Sequence, residues 1–249
     1  MVKRDLHTHT LFGDGNNTPE EMVVSALEKG LDCIGLCVHS YTAFDEECCI
    51  PERDYPVFTA EVKRLKEKYA GKIEVLCGVE QDYYSEADTS LFDYVIGSVH
   101  YVLYGGEYIP VDNTSPLLES GCCRHFSGDY YALAEKYYEN VSRIAEKTHC
   151  DIIGHFDLIT KFNEGGVLFD ENNPGYIESW KKAVDALIPF GIPFEINTGA
   201  ISRGCRTAPY PAKQIRDYIL SKGGKLILSS DAHDKNAVAF GFSEYAPLL

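Results

Sequence analysis

Six of the eight histidines in this chain, His7, His9, His39, His100, His155 and His233, fall at or just after the end of an apolar, strand-like run. That placement constrains the fold more than any other feature, because parallel α/β architectures build their sites at the carboxyl ends of their strands. The runs alternate with helical patterns. Residues 2–7 read as a short strand, and Thr18-Pro19-Glu20-Glu21 then supplies an N-cap, a proline at the first helical position and a capping-box glutamate. The helix they open should run to Gly30. Residues 33–38 have the continuous apolar character of a parallel strand covered on both faces, and residues 58–69 form an amphipathic helix closed by Gly71.

Further strands are expected near residues 73–79, 94–99, 152–154, 193–196 and 225–228. Helices are expected near 129–148, 175–189 and 211–221, with a weaker helical turn around 87–92. Leu133, Tyr137, Val141 and Ile144 of the longest one share a single face. Seven strands alternating with helices close into a barrel or lie open as a doubly wound sheet, and periodicity alone does not choose. No Pro/Ser/Gly-rich linker or internal repeat divides the 249 residues, and 45% hydrophobic content suffices for one core, so residues 1–249 read as one domain. Residues 101–127, rich in Gly, Pro and Asn, lack a clear pattern and read as a functional loop or lid.

With 38 acidic against 23 basic residues the formal charge is −15, which opposes binding to nucleic acid or an anionic membrane surface. No stretch reaches the roughly 20 apolar residues that span a bilayer, and the start lacks an apolar signal core, so a cytoplasmic location is expected. The nine cysteines fit this. Cys33, Cys37 and Cys77 lie in strand-like runs as reduced core thiols, and the adjacent pairs Cys48-Cys49 and Cys122-Cys123 lack the separation that lets two thiolates meet one zinc ion.

Six histidines at the same end of five different strands should converge, and carboxylates accompany them: Asp5, Asp14, Glu80 and Asp231. Imidazole nitrogen mixed with carboxylate oxygen suits Zn, Mn or Fe rather than Mg or Ca. In a strand, His7 and His9 point to one face and Thr8 to the other; Asp231 and His233 are spaced the same way. His7, His9, Asp14, His39, Glu80, His100, His155, Asp231 and His233 make nine candidate ligands, enough for two or three divalent ions. His149, at a helix end, reads as structural, and His125 as structural or substrate-facing.

The ordered series Asp5-Leu6-His7-Thr8-His9, His39, Gly78-Val79-Glu80, Ser98-Val99-His100, Gly154-His155 and Ser230-Asp231-Ala232-His233 resembles the polymerase and histidinol phosphatase (PHP) family across nearly the whole chain. Residues 153–159 and Glu195-Ile196-Asn197-Thr198 are similar to its histidinol-phosphatase branch. The resemblance implies a distorted (β/α)7 TIM-like barrel of the α/β class with its metal site at the carboxyl ends of the strands. It implies that His7, His9, Glu80 and Asp231 hold one ion, Glu80, His100 and His155 a second, and His39 and His233 a third, where many members add a histidine and this chain offers Asp14. It further implies Glu80, Asp231 and His233 as catalytic, and hydrolysis of L-histidinol phosphate in histidine biosynthesis. Arg203 and Asn197, helped by Arg206 and Lys161, would bind the phosphate, although the branch usually has its basic residue about one position before Arg203.

Metal-bound cations explain how so acidic a protein takes an anionic ester: charge at the site outweighs distant surface carboxylates. A metal-activated water would attack phosphorus in line, and no side-chain nucleophile is required. Another small phosphate ester or a nucleotide is the alternative substrate. An amidohydrolase reading is weaker, since no lysine ends a central strand as a carbamate, and a metal-binding module without catalysis is weakened by the complete ligand set. No basic strip suggests a nuclease. The partner is a small phosphomonoester; the sequence leaves the oligomeric state open.

Overall fold

Runs of β-branched and other apolar residues buried on both faces make the centre of the molecule a parallel sheet. A computed structural model describes residues 2–46 and 48–249. In chain order, β1 (Arg4–His9), α1 (Pro19–Glu28), β2 (Cys33–His39), α2 (Tyr55–Lys68), β3 (Glu74–Asp82) and β4 (Tyr94–Ser98) form the first half. A hairpin follows, β5 (Tyr101–Tyr104) and β6 (Glu107–Pro110), then α3 (Ser115–Phe126), α4 (Tyr130–Val141) and α5 (Ile144–Thr148). The second half contains β7 (Ile152–Ile153), α6 (Pro174–Leu187), β8 (Phe194–Asn197), α7 (Gly199–Ser202), α8 (Lys213–Ser221), β9 (Leu226–Ser229) and α9 (Phe242–Tyr245).

Seven strands pair in parallel in the order β1-β2-β3-β4-β7-β8-β9. Beyond β9 the chain meets β1 through a parallel bridge between Thr8 and Ala232, where the His9 amide donates to the Ala232 carbonyl at 2.8 Å. The sheet thus curls into a nearly closed barrel, which settles the choice that periodicity left open. Its distortion has definite places: the β1–β2 register shifts between Asp5 and Thr8, and β7 is only two residues long. Inside, the Tyr94 ring occupies space that side chains at positions 35 and 78 would fill, since a Cβ there would lie 1.9 Å and 2.5 Å from its hydroxyl. Its hydroxyl donates to the Leu6 carbonyl at 2.5 Å, so the floor beneath the strand ends is tied across the barrel.

The α1 capping box forms as read: Glu21 N–H donates to Thr18 Oγ1, and Glu21 Oε2 accepts from the Thr18 amide. Met22, Val23 and Ala26 of this helix are fully buried, and apolar burial of this kind contributes roughly 1.5–3 kcal/mol for each large side chain.

Three expectations are corrected. Residues 101–127 are not an irregular loop but the β5–β6 hairpin and α3. Its turn residues Gly105 and Gly106 both have positive φ, the two-residue turn that strand twist favours, and Thr114 caps α3 by accepting from Leu117 N. The single helix over 129–148 is two, interrupted at Ser142, whose hydroxyl donates to the Glu139 carbonyl at 2.7 Å and competes with the helical ladder. Residues 87–92 form turns rather than a helix, with Ser85 and Asp88 side chains accepting from the amides of Ala87 and Ser90.

Candidate metal centre

His7 and His9 leave the last turn of β1 on its inner face, while Thr8 points the other way and donates to the Gly35 carbonyl at 2.8 Å. Glu80 on β3 stands at the centre of what they meet. Its two oxygens lie 3.1 Å from His7 Nε2, 3.3 Å from His9 Nε2, 3.2 Å from His39 Nδ1, 3.3 Å from His100 Nε2 and 2.8 Å from His155 Nε2. A carboxylate offers about four lone-pair sites, so five imidazoles exceed what it can accept. Around this core Asp231 Oδ1 is 3.7 Å from His7 Nε2, 3.6 Å from His9 Nε2 and 3.5 Å from His233 Nδ1. Asp14 Oδ2 completes the ring, 2.9 Å from His233 Nε2 and 3.5 Å from His39 Nε2. All nine residues singled out as ligands are therefore brought together at the strand ends.

Three subsets have donor atoms near enough to share a cation: His7, His9 and Glu80; His39, Glu80 and His100; and His9, Asp14, His39 and His233. Glu80 belongs to two of them. The donor set fits divalent ions on a further count, because both ring nitrogens of buried His9 lack a hydrogen-bond partner among the described residues although carboxylates surround them. Without cations, protons substitute. Burial opposes a charged His7, yet Glu195, Glu80 and Asp231 hold its proton well above the ordinary histidine range, and His39 and His100 are raised similarly against their own burial by Glu80 and its neighbours. His9 goes the other way, lowered to about 4 by burial and by the His233 ring stacked 4.3 Å from its own. Burial pushes the Glu80 carboxyl up, but His7, His39 and His100 outweigh it and hold it well below the ordinary carboxylate range.

Outer groups fix the inner ones. Glu195, fully buried on β8, lies 2.7 Å from His7 Nδ1 and accepts from the His155 amide at 3.1 Å. Asp82 accepts from the His100 amide at 2.9 Å and faces its Nδ1 at 3.2 Å. Asp5, noted among the carboxylates, is not at the centre: it accepts from Ser230 and Ala239 and anchors the segment carrying Asp231. Asp231 itself has φ +48°, a strained backbone region that the local packing must impose.

The basic residues divide. Arg203 donates to Asp231 Oδ2 at 3.0 Å and to its carbonyl at 2.8 Å, and it lines the cleft above the cluster. Gly199 permits this, since a Cβ there would lie 2.7 Å from Asp231 Oδ2. Lys161 also lines the cleft and donates to the Asp112 carbonyl at 2.7 Å. Arg206 does not face it: its guanidinium is buried, donates to Thr160 and lies over the Tyr210 ring. Asn197 is likewise withdrawn, with its amide donating to Glu195 Oε2 at 3.1 Å and its oxygen accepting from Gly199 N–H at 3.0 Å. A motif position adjacent to the site thus supports Glu195 rather than substrate. His125 is paired with Glu107 at 2.8 Å, joining α3 to the hairpin, and His149 ends α5 in the left-handed region. Cys48 and Cys49 line the cleft edge, Cys122 and Cys123 lie on α3, and all nine cysteines are free thiols.

The cleft has two sides that share Asp14, His39, Glu80, His100 and Asp112. One presents Lys161, Arg203 and Tyr210; the other presents Asp45, Asp82 and Tyr101, with the Tyr101 hydroxyl donating to Asp45. Sequence reasoning singled out neither Asp45, Asp112 nor Tyr210. Asp82 carried a signal, since Glu80-Gln81-Asp82 repeats the two-residue spacing of His7 and His9.

The PHP domain family matches residues 5–199. A Schizosaccharomyces pombe protein named "Probable histidinol-phosphatase" is 27% identical over 242 residues, covering 90% of this chain and 77% of its own. A Deinococcus radiodurans protein of the same name is 30% identical over 253 aligned residues, covering 96% and 90%. Among solved structures, a candidate histidinol phosphatase from Listeria monocytogenes superimposes with a TM-score of 0.85 at 22% identity, covering 98% of this chain and 100% of that one. Histidinol phosphate phosphatase from Lactococcus lactis, complexed with zinc, L-histidinol and phosphate, gives 0.69 at 20% identity, covering 99% and 92%. At such identities these two show the fold.

Proposed function

The chain belongs to the PHP family, and from that premise we propose that residues 1–249 form one metal-dependent phosphomonoesterase domain that hydrolyses L-histidinol phosphate to L-histidinol and phosphate. The observation that carries this reading is the contact of five imidazoles with the one buried carboxylate of Glu80 at the floor of a cleft. We assign His7, His9, Glu80 and Asp231 to one cation, Glu80, His100 and His155 to a second, and Asp14, His39 and His233 to a third. Zinc is bound by the Lactococcus relative, and the mixed nitrogen and oxygen set also suits Mn and Fe. Bound there, such ions supply activation of water at neutral pH and neutralise charge on the transferring phosphoryl group.

The chain's own residues do the rest. Glu195 fixes the His7 ring and Asp82 the His100 ring, so both present Nε2 to Glu80. Lys161 and Arg203 give the cleft a cationic side for the phosphate, and their charges neutralise oxygens that the carboxylate cluster would otherwise repel. Asp45 and Asp82 give the opposite side an anionic character that suits a leaving group carrying an amine and an imidazole. Closing residues around a small cleft favours a metabolite over a polymer, and the −15 charge acts in the same direction. No helix among the described residues is long and apolar enough to cross a membrane.

A phosphate-release assay on zinc- or manganese-loaded protein tests this, with L-histidinol phosphate, a nucleoside monophosphate, p-nitrophenyl phosphate and single-stranded DNA as substrates. L-histidinol phosphate should give the highest kcat/KM by at least about tenfold, the scale of one well-placed charged contact. Equal turnover of the nucleotide would overturn the substrate, and comparable cleavage of DNA would overturn the class.

A further inference from the structure

Tyr210 is 1% exposed and its hydroxyl has no hydrogen-bond partner among the described residues, yet the residue lines the cleft beside Lys161 and Arg203. Native structures seldom leave a buried hydroxyl unpaired, so an unpaired one on a residue that lines a cleft marks a place where a ligand completes the bonding. The side chain cannot swing away to find water. Its amide donates to the Asn197 carbonyl at 3.0 Å and its carbonyl accepts from the Asn197 amide at 2.8 Å, which pins the backbone to the end of β8. The Arg206 guanidinium lies 4.9 Å over the ring centre and is itself held by the Thr160 carbonyl at 2.8 Å. Burial keeps the phenol protonated far above its ordinary range, with Arg206, Asp157, Asp112 and Arg203 all acting on the hydroxyl. Tyr210 shares the cleft lining with Lys161 and Arg203, and a protonated phenol in that company calls for an acceptor that also suits cationic neighbours, which is an anion.

We propose that the Tyr210 hydroxyl donates a hydrogen bond to a non-bridging oxygen of the substrate's phosphate, on the Arg203 and Lys161 side of the cleft. The assignment rests on the phosphomonoesterase reading above and deepens it. It also gives Arg206 a role that its burial explains: it is a positioning residue that holds the Tyr210 ring rather than a phosphate ligand.

The test is Tyr210→Phe, which removes one oxygen and leaves the ring over Arg206. Calorimetric titration of the metal-loaded protein with inorganic phosphate, KM for L-histidinol phosphate, bound metal and circular dichroism are measured on the same preparation. Phosphate affinity should fall about tenfold to a hundredfold and KM should rise in step, as expected for loss of a bond to a charged acceptor. Metal content and the dichroism spectrum should not change. Phosphate affinity within twofold of wild type overturns the proposal, whatever happens to kcat. So does a lost metal ion, which would mean that Tyr210 acts through the cluster. A change confined to thermal stability also overturns it, in favour of a buried water shared with the unpaired Asp157 Oδ1. If the wild type fails to hydrolyse L-histidinol phosphate while the variant still loses phosphate affinity, the substrate reading falls and the Tyr210 contact stands.

Discussion

Glu80 and Asp157 are both fully buried carboxylates, and their surroundings drive them in opposite directions. Glu80 faces five imidazoles and is held ionised, so Glu80→Gln keeps its shape and removes the charge that lets one group serve two cations. Activity should fall at least about a hundredfold and bound metal should drop, given that even outer-sphere changes cost 10–100-fold. The dichroism spectrum should persist, because the core is apolar; full activity at an unchanged metal count would refute the bridging role. Asp157 instead has its carboxyl raised to about 6 by burial, with Arg206 and the Ala212 amide only partly offsetting it. A carboxyl raised above its unfolded value of 3.8 stabilises the fold below that value and loses this contribution as pH rises through about 6. The stability difference between wild type and Asp157→Asn should therefore change by about 2 kcal/mol between pH 4 and 6, and little above pH 7. Urea melts across that range measure it, and a flat difference would show that the carboxyl is ionised throughout.

At the scale of elements, local signals were legible where one residue type performs one local task. Thr18 and Glu21 announced the start of α1 and bond as read. Thr18→Ala should cost about 1 kcal/mol, lowering Tm by about 2–4 °C in a protein of this size with kcat unchanged, since α1 lies outside the cleft; a thermal melt and an activity assay on one sample check both parts. The nine candidate ligands were legible for a related reason: histidine and carboxylate at strand ends are rare enough to stand out, and strand period sends His7 and His9 to one face. What stayed hidden depended on contacts between distant segments. Glu195 stands in a motif the sequence shows, but its task appears only when the barrel closes and its carboxylate on β8 meets His7 Nδ1 of β1, with β9 between the two strands. Asn197 and Arg206 suit a phosphate site by residue type, but only the folded chain shows the Asn197 amide turned to Glu195 and the Arg206 guanidinium buried against Thr160 and the Tyr210 ring. The β5–β6 hairpin was missed because its strands are four residues each, too short for alternation to register against a background of Gly, Pro and Asn. Tyr210 had no signal at all, since its significance lies in a bond the chain leaves unmade.

Across the whole molecule, metal binding and proton binding compete for one set of nitrogens. His7, His39 and His100 have raised pKa values in the metal-free fold because Glu80, Glu195 and Asp14 face them. A histidine raised in this way contributes stability that is complete below its unfolded value of about 6.5 and is lost as pH climbs through the folded value. Glu80, Asp14 and Asp231 are shifted downward, so their contributions persist above pH 5 and leave the neutral range unaffected. Chelated protein should therefore lose stability steadily from pH 6.5 upward. Cations reverse that trend, because a ligand imidazole must first give up its proton and the exchange grows easier as pH rises. Zinc at about a hundred times its dissociation constant adds about 2.7 kcal/mol, or several degrees in Tm for a chain of this length. The increase in Tm on adding a fixed free zinc concentration to chelated protein should accordingly be larger at pH 8 than at pH 6, and the serine variants of Cys48, Cys49, Cys122 and Cys123 should show the same difference. An equal zinc shift at both pH values would mean that these histidines carry no protons in the metal-free fold. A shift abolished by the cysteine changes would move the zinc site away from the strand ends altogether.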